Sequence, residues 1–162
     1  MTDLLWFVAH TRPRCEKKLA GYCEREELLS TLPLYKSVRK YRGKTCVFEK
    51  PLFPGYVFLQ IEPGHRQKVF NTDFIANLLD VPDQIEFAEQ LAVILAALES
   101  GAEIYLVPEI GAGDRVRIKS GVLRGTEGWV EQRYGMTTVL LRLDFIGQAA
   151  GLKVQAHELE RL

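Results

Sequence analysis

Long apolar segments and paired cysteines are both missing from this chain of 162 residues. No apolar run approaches the ~20 residues that span a bilayer, and the residues after Met1 do not form a signal-peptide pattern. Cys15, Cys23 and Cys46 contain no CxxC pair, and their odd number argues against a disulfide framework. We therefore expect a cytoplasmic protein that makes no contact with a membrane.

Catalytic motifs are missing as well. The sequence contains no HExxH, no phosphate-binding P-loop, no nucleophile elbow and no GxGxxG pattern. The three histidines, His10, His65 and His157, are far apart and lie near no paired carboxylates or cysteine pattern. We therefore predict a binding protein that is not an enzyme and that holds neither a metal ion nor a cofactor.

The formal net charge of zero hides an uneven distribution of charge. Residues 1–50 hold 11 Lys and Arg against 6 Asp and Glu, residues 51–101 hold 2 against 7, and residues 102–162 hold 8 against 8. A neutral chain does not coat nucleic acid indiscriminately. A chain with one basic and one acidic section can nevertheless orient itself against a polyanion.

The start of the chain predicts a strand followed by a helix. Leu4–His10 is a short apolar run, and Thr11-Arg12-Pro13 then opens a helix. Cys15 and Cys23 lie on its apolar face and are therefore expected to be core residues. Basic residues near the predicted N-terminus oppose the helix dipole; they are Arg12, Arg14, Lys17 and Lys18. They either bind an external anion or form an ordinary solvated face.

Residues 34–50 predict a basic β-hairpin. Arg42-Gly43 marks the turn between two arms with β-forming composition, Tyr35–Tyr41 and Thr45–Phe48. Aromatic residues are interleaved with the basic ones. Such a hairpin either touches nucleic acid or uses its lysines to discourage edge pairing.

A Pro-Gly turn, Phe53-Pro54-Gly55-Tyr56, joins the hairpin to the next strand. Proline fixes φ and glycine can adopt backbone angles closed to other residues. Nearly continuous apolar residues from Tyr56 to Ile61 predict a strand buried on both faces. From composition alone, Phe53 and Tyr56 are either core aromatics or part of an interface.

The following residues complete a first domain. A short helical segment after Pro63 leads to an apolar stretch, Phe74–Val81, which is expected to return to the sheet. Asp83 is the predicted N-cap of a helix that ends at Gly101, with Glu86 three residues after the cap. This order predicts an α+β sandwich in which helices pack on a mostly antiparallel sheet.

The last third of the chain has a different character. Residues 102–110 are expected to be a short connector, and residues 111–162 contain 8 of the 13 glycines. Short β-rich runs lie between these glycines. Five short strands with tight glycine turns predict a small β-barrel.

Two stretches together carry a resemblance to a known family. Gly113–Val130 looks like a KOW motif, and Gly125 matches its nearly obligatory glycine, which a sharp turn between strands requires. Leu52–Val57 lies about 60 residues upstream, after a basic helix. The combination resembles the NusG family of bacterial transcription elongation factors, including its specialised antiterminator branch. The resemblance implies an NGN domain over residues 1–101, a linker over 102–110 and a KOW barrel over 111–162.

The resemblance also implies partners for the first domain. NGN domains of this family bind the clamp helices of the RNA polymerase β′ subunit, reach the β-subunit lobe and hold the clamp closed, which suppresses pausing. The implied clamp-helix contacts are Phe53, Pro54, Tyr56, His10 and Phe58. Those toward the β lobe are His65 and Arg66. Upstream or non-template DNA would face the basic cluster of Arg12, Arg14, Lys17 and Lys18.

For the KOW domain, the resemblance implies contact with a ribosomal protein or with the termination factor Rho through Phe145, Ile146 and Gln148. Many members have Arg where this chain has Gln148, so the identity of the KOW partner stays open. The protein is expected to be a monomer, and the sequence does not distinguish a general factor from an operon-specific one. Two alternatives stay open: an autoinhibited helical KOW segment, and an RNA- or ribosome-binding KOW protein that does not act on RNA polymerase.

Overall fold

A computed structural model of the protein describes residues 3–107, 113–133 and 136–162. It contains twelve β-strands within these ranges, bounded as β1 Leu5–Thr11, β2 Leu29–Thr31, β3 Leu34–Tyr41, β4 Lys44–Pro51, β5 Tyr56–Ile61, β6 Ile75–Asp80, β7 Ile104–Val107, β8 Arg115–Ile118, β9 Glu127–Arg133, β10 Met136–Leu143, β11 Gln148–Lys153 and β12 Leu159–Arg161. The α-helices of the same ranges are α1 Glu16–Arg25, α2 Arg66–Phe70 and α3 Gln84–Glu99. The predicted α+β class is confirmed.

The chain divides into two compact units whose boundaries fall at 34/35, 52/53 and 86/87. The first unit takes residues up to Leu34 and Phe53–Glu86, and the second takes Tyr35–Leu52 and the chain from Phe87 onward. These boundaries differ from those predicted at 101/102 and 110/111. For α3 the reason is its contacts with the β10–β11 junction, where Phe87 meets Phe145 and Gln90 binds Asp144.

The first unit is built on a four-stranded sheet with the order β2-β5-β1-β6. All three pairings are antiparallel, and β5 is central, with Val57, Leu59 and Ile61 buried. Leu19 and Cys23 of α1 and Val69 of α2 pack into the same core. The predicted buried strand after Gly55 and the core position of Cys23 are therefore confirmed.

The chain between β1 and α1 differs from the prediction. Arg14 has a φ of 63°, in the left-handed region, so the helix begins only at Glu16. Arg12 and Arg14 therefore precede the helix, so the predicted helix start at Thr11-Arg12-Pro13 was wrong. Within the helix, Glu16 in the first turn and Arg25 in the last suit its dipole, whereas Lys17 and Lys18 oppose it.

The helix α3 begins as the sequence predicts. The carboxylate Oδ1 of Asp83 accepts a hydrogen bond of 3.0 Å from the backbone N–H of Glu86. Leu91, Ile94 and Ala97 form its buried stripe together with Phe87. None of the helices in the described ranges is long and apolar enough to cross a membrane.

The second unit contains a six-stranded antiparallel sheet with the order β12-β8-β9-β10-β11-β7. Ile104–Val107 was expected in the connector, but it forms β7 and pairs with β11; residues 108–112 lie outside the described part. In the described residues β12 and β7 are the two ends of the sheet, so the predicted closed five-stranded barrel is not confirmed. In this structure the described residues of the segment form strands β8–β12 and short 3₁₀ turns, and none of them lies in an α-helix.

The predicted hairpin is present and forms a two-stranded sheet of its own, β3-β4. Its turn lies at Arg42-Gly43, as predicted, with φ values of 49° and 76°. Positive φ at both central residues matches the right-handed twist of the two arms.

Candidate functional site

The Pro-Gly turn before β5 has a defined geometry. The backbone N–H of Tyr56 donates to the carbonyl of Phe53 at 3.2 Å, which closes the turn. Gly55 has a φ of 87°, an angle that residues with a side chain rarely adopt. Its N–H donates to Oε2 of Glu16 at 3.2 Å, and its carbonyl accepts from the N–H of Thr11 at 2.8 Å. The turn is therefore fixed to both the end of β1 and the start of α1.

The side chains of this turn separate into a buried pair and an outer group. Phe53 and Phe58 are 1% and 0% exposed and meet edge to face at a centroid distance of 6.2 Å. Pro54 and His10 are exposed, and Tyr56 is half-buried. The five predicted clamp-helix residues are thus not equivalent: three of them reach the surface, and the two phenylalanines lie beneath it.

His10 and Tyr56 form the centre of the outer group. They are direct partners in the β1–β5 ladder, and their rings stack with centroids 5.2 Å apart and planes inclined by 22°. A cross-strand aromatic pair of this kind presents a flat, partly apolar surface with polar atoms at its edge. We call His10, Pro54 and Tyr56 the ring surface.

The predicted basic residues lie next to the ring surface along the chain. Arg12 and Arg14 are exposed in the loop that leaves β1, directly after Thr11, which is hydrogen-bonded to Gly55. Lys17 and Lys18 are exposed in the first turn of α1, and Lys17 also lines a groove of about 480 Å³ with Leu28 and Leu29. The structure therefore places apolar rings and cationic side chains side by side within the first unit.

Behind the basic cluster, α1 carries a cysteine that is closed to solvent. Cys23 is 0% exposed, and burial raises the pKa of its thiol to about 11, while a hydrogen bond with Ser30 acts in the opposite direction. A thiol with such a pKa is protonated at neutral pH and does not act as a nucleophile. This agrees with its prediction as a core residue.

His65 and Arg66 lie away from the ring surface. They follow Ile61, the last residue of β5, whereas Tyr56 is its first, and six residues of strand span ~17 Å. Arg66 already has protein partners: Nη2 donates to the carbonyl of Leu78 at 2.8 Å, Nε lies 3.3 Å from Oδ1 of Asp80, and the guanidinium lies 5.9 Å from the Phe7 ring centroid. Arg66 thus tethers α2 to the sheet.

The predicted KOW contact residues lie at the junction of β10 and β11. Asp144–Ile146 is a short 3₁₀ turn, Gly147 follows with a φ of 68°, and Gln148 begins β11. Phe145 is half-buried because its ring meets Phe87 of α3 edge to face, with centroids 6.2 Å apart. This loop is therefore not a free loop in this structure.

Sequence reasoning missed the groups that hold that loop. Gln90 of α3 donates from Nε2 to Oδ2 of Asp144 at 2.7 Å, and its Oε1 accepts from the Asp144 backbone N–H at 2.9 Å. Arg142 donates to Asp144 at 2.8 Å, and its guanidinium lies 4.6 Å from the Trp129 ring centroid. Gln90 is about 54 positions from Asp144, so no local pattern could have linked them.

Gly125, the glycine of the predicted KOW motif, lies in a tight turn between strands. Gly125 has a φ of 92°, and its N–H donates to the carbonyl of Ile118 at 2.7 Å in the tight connection between β8 and β9. Any larger residue would strain this turn. Among the described residues there is no cluster of three or more His, Cys, Asp or Glu that could hold a metal ion.

The fold defines a class: a two-unit α+β protein whose first unit exposes an aromatic pair and, next to it along the chain, basic residues. The family model described as "Transcription termination factor nusG" matches residues 4–94. The "Transcription termination/antitermination protein NusG" of Borreliella burgdorferi is 21% identical over 183 aligned residues, which cover 97% of this chain and 98% of that protein. The chain belongs to the NusG family, whose members are transcription termination and antitermination factors.

Proposed function

We propose that the protein is a transcription elongation factor that binds the β′ clamp helices of RNA polymerase through the ring surface and suppresses pausing. One observation carries this proposal: His10 and Tyr56 stack at the surface beside exposed Pro54, on a turn fixed by two backbone–backbone hydrogen bonds and one to the Glu16 carboxylate. Aromatic anchors held rigid before binding lose little entropy in a complex. The tip of a helical hairpin, with its own apolar side chains, suits such a surface.

The neighbouring cations extend the proposed contact to DNA. Arg12, Arg14 and Lys18 are exposed and lie directly after the strand that carries His10. When the ring surface binds the clamp helices, these cations would therefore lie close to the clamp as well. Upstream or non-template DNA is the polyanion present there in a transcribing complex, and phosphate contacts from Lys and Arg position a protein without reading sequence.

Two further contacts are proposed, one with the β lobe of the polymerase and one with a partner of the KOW segment. His65, at the far end of β5, would reach the β lobe, and Arg66 would support it by holding α2 on the sheet. The loop with Phe145, Ile146 and Gln148 would contact a ribosomal protein or Rho. Because Phe145 packs on Phe87, full use of this loop requires that contact to open.

RNA binding by the six-stranded sheet is less well supported. Arginines of its strands already have carboxylate partners: Arg117 pairs with Glu127 and Glu160, and Arg161 pairs with Asp114, at 2.8–3.3 Å. Cations neutralised in this way release few counterions from a phosphate backbone. These paired arginines of the sheet therefore offer little free positive charge for a generic RNA contact.

The decisive experiment is a pull-down of core RNA polymerase with the full chain. Tyr56→Ala removes the exposed ring, and we expect at least ~30-fold weaker binding, the effect of losing an interface anchor worth 2 kcal/mol or more. Tyr56→Phe keeps the ring and should bind nearly as the native chain does. Phe70→Ala is a matched control, because Phe70 is also an exposed aromatic but lies on α2. Unchanged polymerase binding by folded Tyr56→Ala would contradict the proposal.

The DNA contact is tested separately on a transcription-bubble scaffold. The double variant Arg12→Gln/Arg14→Gln should weaken the complex of polymerase with the bubble while leaving binding to polymerase alone unchanged. Arg25→Gln is the control, because Arg25 is an exposed cation at the other end of α1. Equal losses in both assays would mean that Arg12 and Arg14 act on the polymerase itself.

A further inference from the structure

The β3-β4 hairpin exposes large apolar side chains that contribute little to the stability of the fold. Val38, Tyr41, Val47 and Phe48 are 63%, 68%, 58% and 50% exposed. A two-stranded sheet gains little stability from such residues, since they bury little area. Exposed aromatics on an isolated hairpin therefore indicate a surface that is covered by a ligand.

The charge of the hairpin indicates what kind of ligand that is. It carries six cations against the single acid Glu49, and these cations are Lys36, Arg39, Lys40, Arg42, Lys44 and Lys50. In the part of the chain that the structure describes, none of the six takes part in an ion pair. A surface with this much unpaired positive charge is complementary to a polyanion.

Aromatic and cationic groups share one face of the hairpin. The two-residue turn pairs Tyr41 with Lys44, which places them on the same face. Side chains of a strand alternate between faces, so Arg39 joins Tyr41 on one arm and Phe48 joins Lys44 on the other. The two aromatic positions are then ~14 Å apart along the strands, which is room for about four stacked nucleotides.

We propose that this face binds single-stranded DNA, with bases stacked on Tyr41 and Phe48 and phosphates paired with Arg39 and Lys44. Unpaired bases expose their faces for stacking, whereas a duplex hides them. The guanidinium of Arg42 lies 5.9 Å from the Tyr41 ring centroid and extends this stacking platform at the tip. The site shares no residue with the basic cluster of Arg12, Arg14, Lys17 and Lys18.

The choice of DNA over RNA rests in part on the proposed function. A transcribing polymerase displaces one DNA strand, and that strand is the single-stranded polyanion nearest to a factor bound on the clamp. Among the described residues, this face also carries no carboxylate to accept a hydrogen bond from a ribose 2′-hydroxyl, the group by which proteins distinguish RNA from DNA. The test must therefore compare the affinities of the hairpin face for single-stranded DNA and for RNA.

The test measures fluorescence anisotropy of a labelled oligo-dT of about 12 nucleotides, long enough to span both rings, with the full chain. Tyr41→Ala and Phe48→Ala should each weaken binding about tenfold, within the range for loss of one base–aromatic stack. Tyr41→Phe should restore native affinity. Arg39→Gln/Lys44→Gln should lower the slope of log K against log salt by about 1.4, because each lost phosphate contact removes ~0.7.

Controls on the opposite face make the result specific. Val38→Thr/Val47→Thr changes two equally exposed side chains and should leave the affinity for oligo-dT unchanged. An equal loss in this variant, or no loss in Tyr41→Ala and Phe48→Ala, would overturn the stacking site. At least tenfold tighter binding of oligo-rU than of oligo-dT would overturn the choice of DNA.

The result is independent of the polymerase assay. Tyr41→Ala/Phe48→Ala should keep its affinity for core polymerase, and Tyr56→Ala should keep its affinity for oligo-dT. If Tyr56→Ala retains polymerase binding while the hairpin variants lose oligo-dT, the proposed function fails and the hairpin site stands. If the hairpin variants bind oligo-dT as the native chain does, the hairpin site fails and the polymerase contact is untouched.

Discussion

The hairpin and the six-stranded sheet use the same residue types for opposite purposes. In the sheet, Arg115, Arg117 and Arg142 each lie within 3.2 Å of a carboxylate, and Trp129 is flanked by the Arg115 and Arg142 guanidinium groups. In the hairpin, the aromatics are exposed and the cations have no carboxylate partner among the described residues. In the sheet, arginine side chains thus contact carboxylates and the Trp129 ring of the protein itself. In the hairpin, the corresponding side chains remain available for a ligand.

This comparison also explains why a neutral chain can bind a polyanion. Several acidic residues in and beside the six-stranded sheet pair with its own cations, as Glu127, Glu160 and Asp114 show. They neutralise nearby cations over a few ångströms and are screened beyond about 10 Å at 0.1 M salt. The zero net charge therefore describes the whole chain but not the local field of the hairpin.

The largest expected difference is in the stability lost when a phenylalanine is truncated. Phe87 of α3, which packs against the end of the sheet, is compared with Phe48 of the hairpin. Phe87 is 2% exposed and packs edge to face on Phe145, so Phe87→Ala should lower the free energy of unfolding by about 3–5 kcal/mol. Phe48→Ala in the hairpin should change it by no more than ~0.5 kcal/mol, because half of that side chain is already exposed. Urea unfolding followed by circular dichroism gives both values. Comparable losses would mean that the hairpin is packed as firmly as α3.

A second difference concerns pH and extends the comparison to the first unit. Burial raises the pKa of the Cys23 thiol from 9.0 to about 11, so the folded state holds this proton more tightly than the unfolded state. The contribution is fully present below pH 9 and is lost as pH rises toward 11, on the order of 2–3 kcal/mol. Urea unfolding at pH 8, 9, 10 and 11 should show this loss in the native chain and a smaller one in Cys23→Ala.

Cys46 supplies the control within the hairpin. It is half-buried, so its thiol offers a comparison for the accessibility of Cys23. Reaction with a thiol reagent at pH 8 in the folded protein should modify Cys46 and spare Cys23, because the Cys23 thiol is closed to solvent. Equal pH slopes for the native chain and Cys23→Ala would show that other groups cause the alkaline loss.

Local patterns predicted the elements of this fold well. The alternation around Arg42-Gly43 located the hairpin, and the spacing of Asp83 and Glu86 located the start of α3. The left-handed Arg14 was not predictable, since a basic residue does not favour positive φ, and it shifted the start of α1 to Glu16. Strand β7 was missed because four apolar residues alone do not distinguish a connector from an edge strand.

The candidate site was predicted in part. The family resemblance drew attention to Phe53-Pro54-Gly55-Tyr56, and the structure separates its members by burial, which a turn motif does not encode. The attachment of Phe145 to α3 depends on Phe87 and Gln90, which are distant in sequence and were assigned only to a helix. Sequence periodicity reports which face of an element is apolar; it does not report which element covers that face.

The smallest expected effect comes from the paired arginines of the sheet. Hydrogen bonds and charge from Arg117 and Arg115 lower the pKa of the Glu127 carboxyl below 4.5, so its contribution to stability is present above that pH and is lost as pH falls. Arg117→Gln should therefore lower the urea midpoint slightly at pH 7 and low salt; the difference from the native chain should shrink as pH falls and vanish at 1 M salt, where screening removes the pair. Arg39→Gln in the hairpin should leave the midpoint unchanged throughout, because the native Arg39 has no ion pair to lose among the described residues. A salt-sensitive loss of stability in Arg39→Gln would place a carboxylate against the hairpin and end the distinction between the two regions.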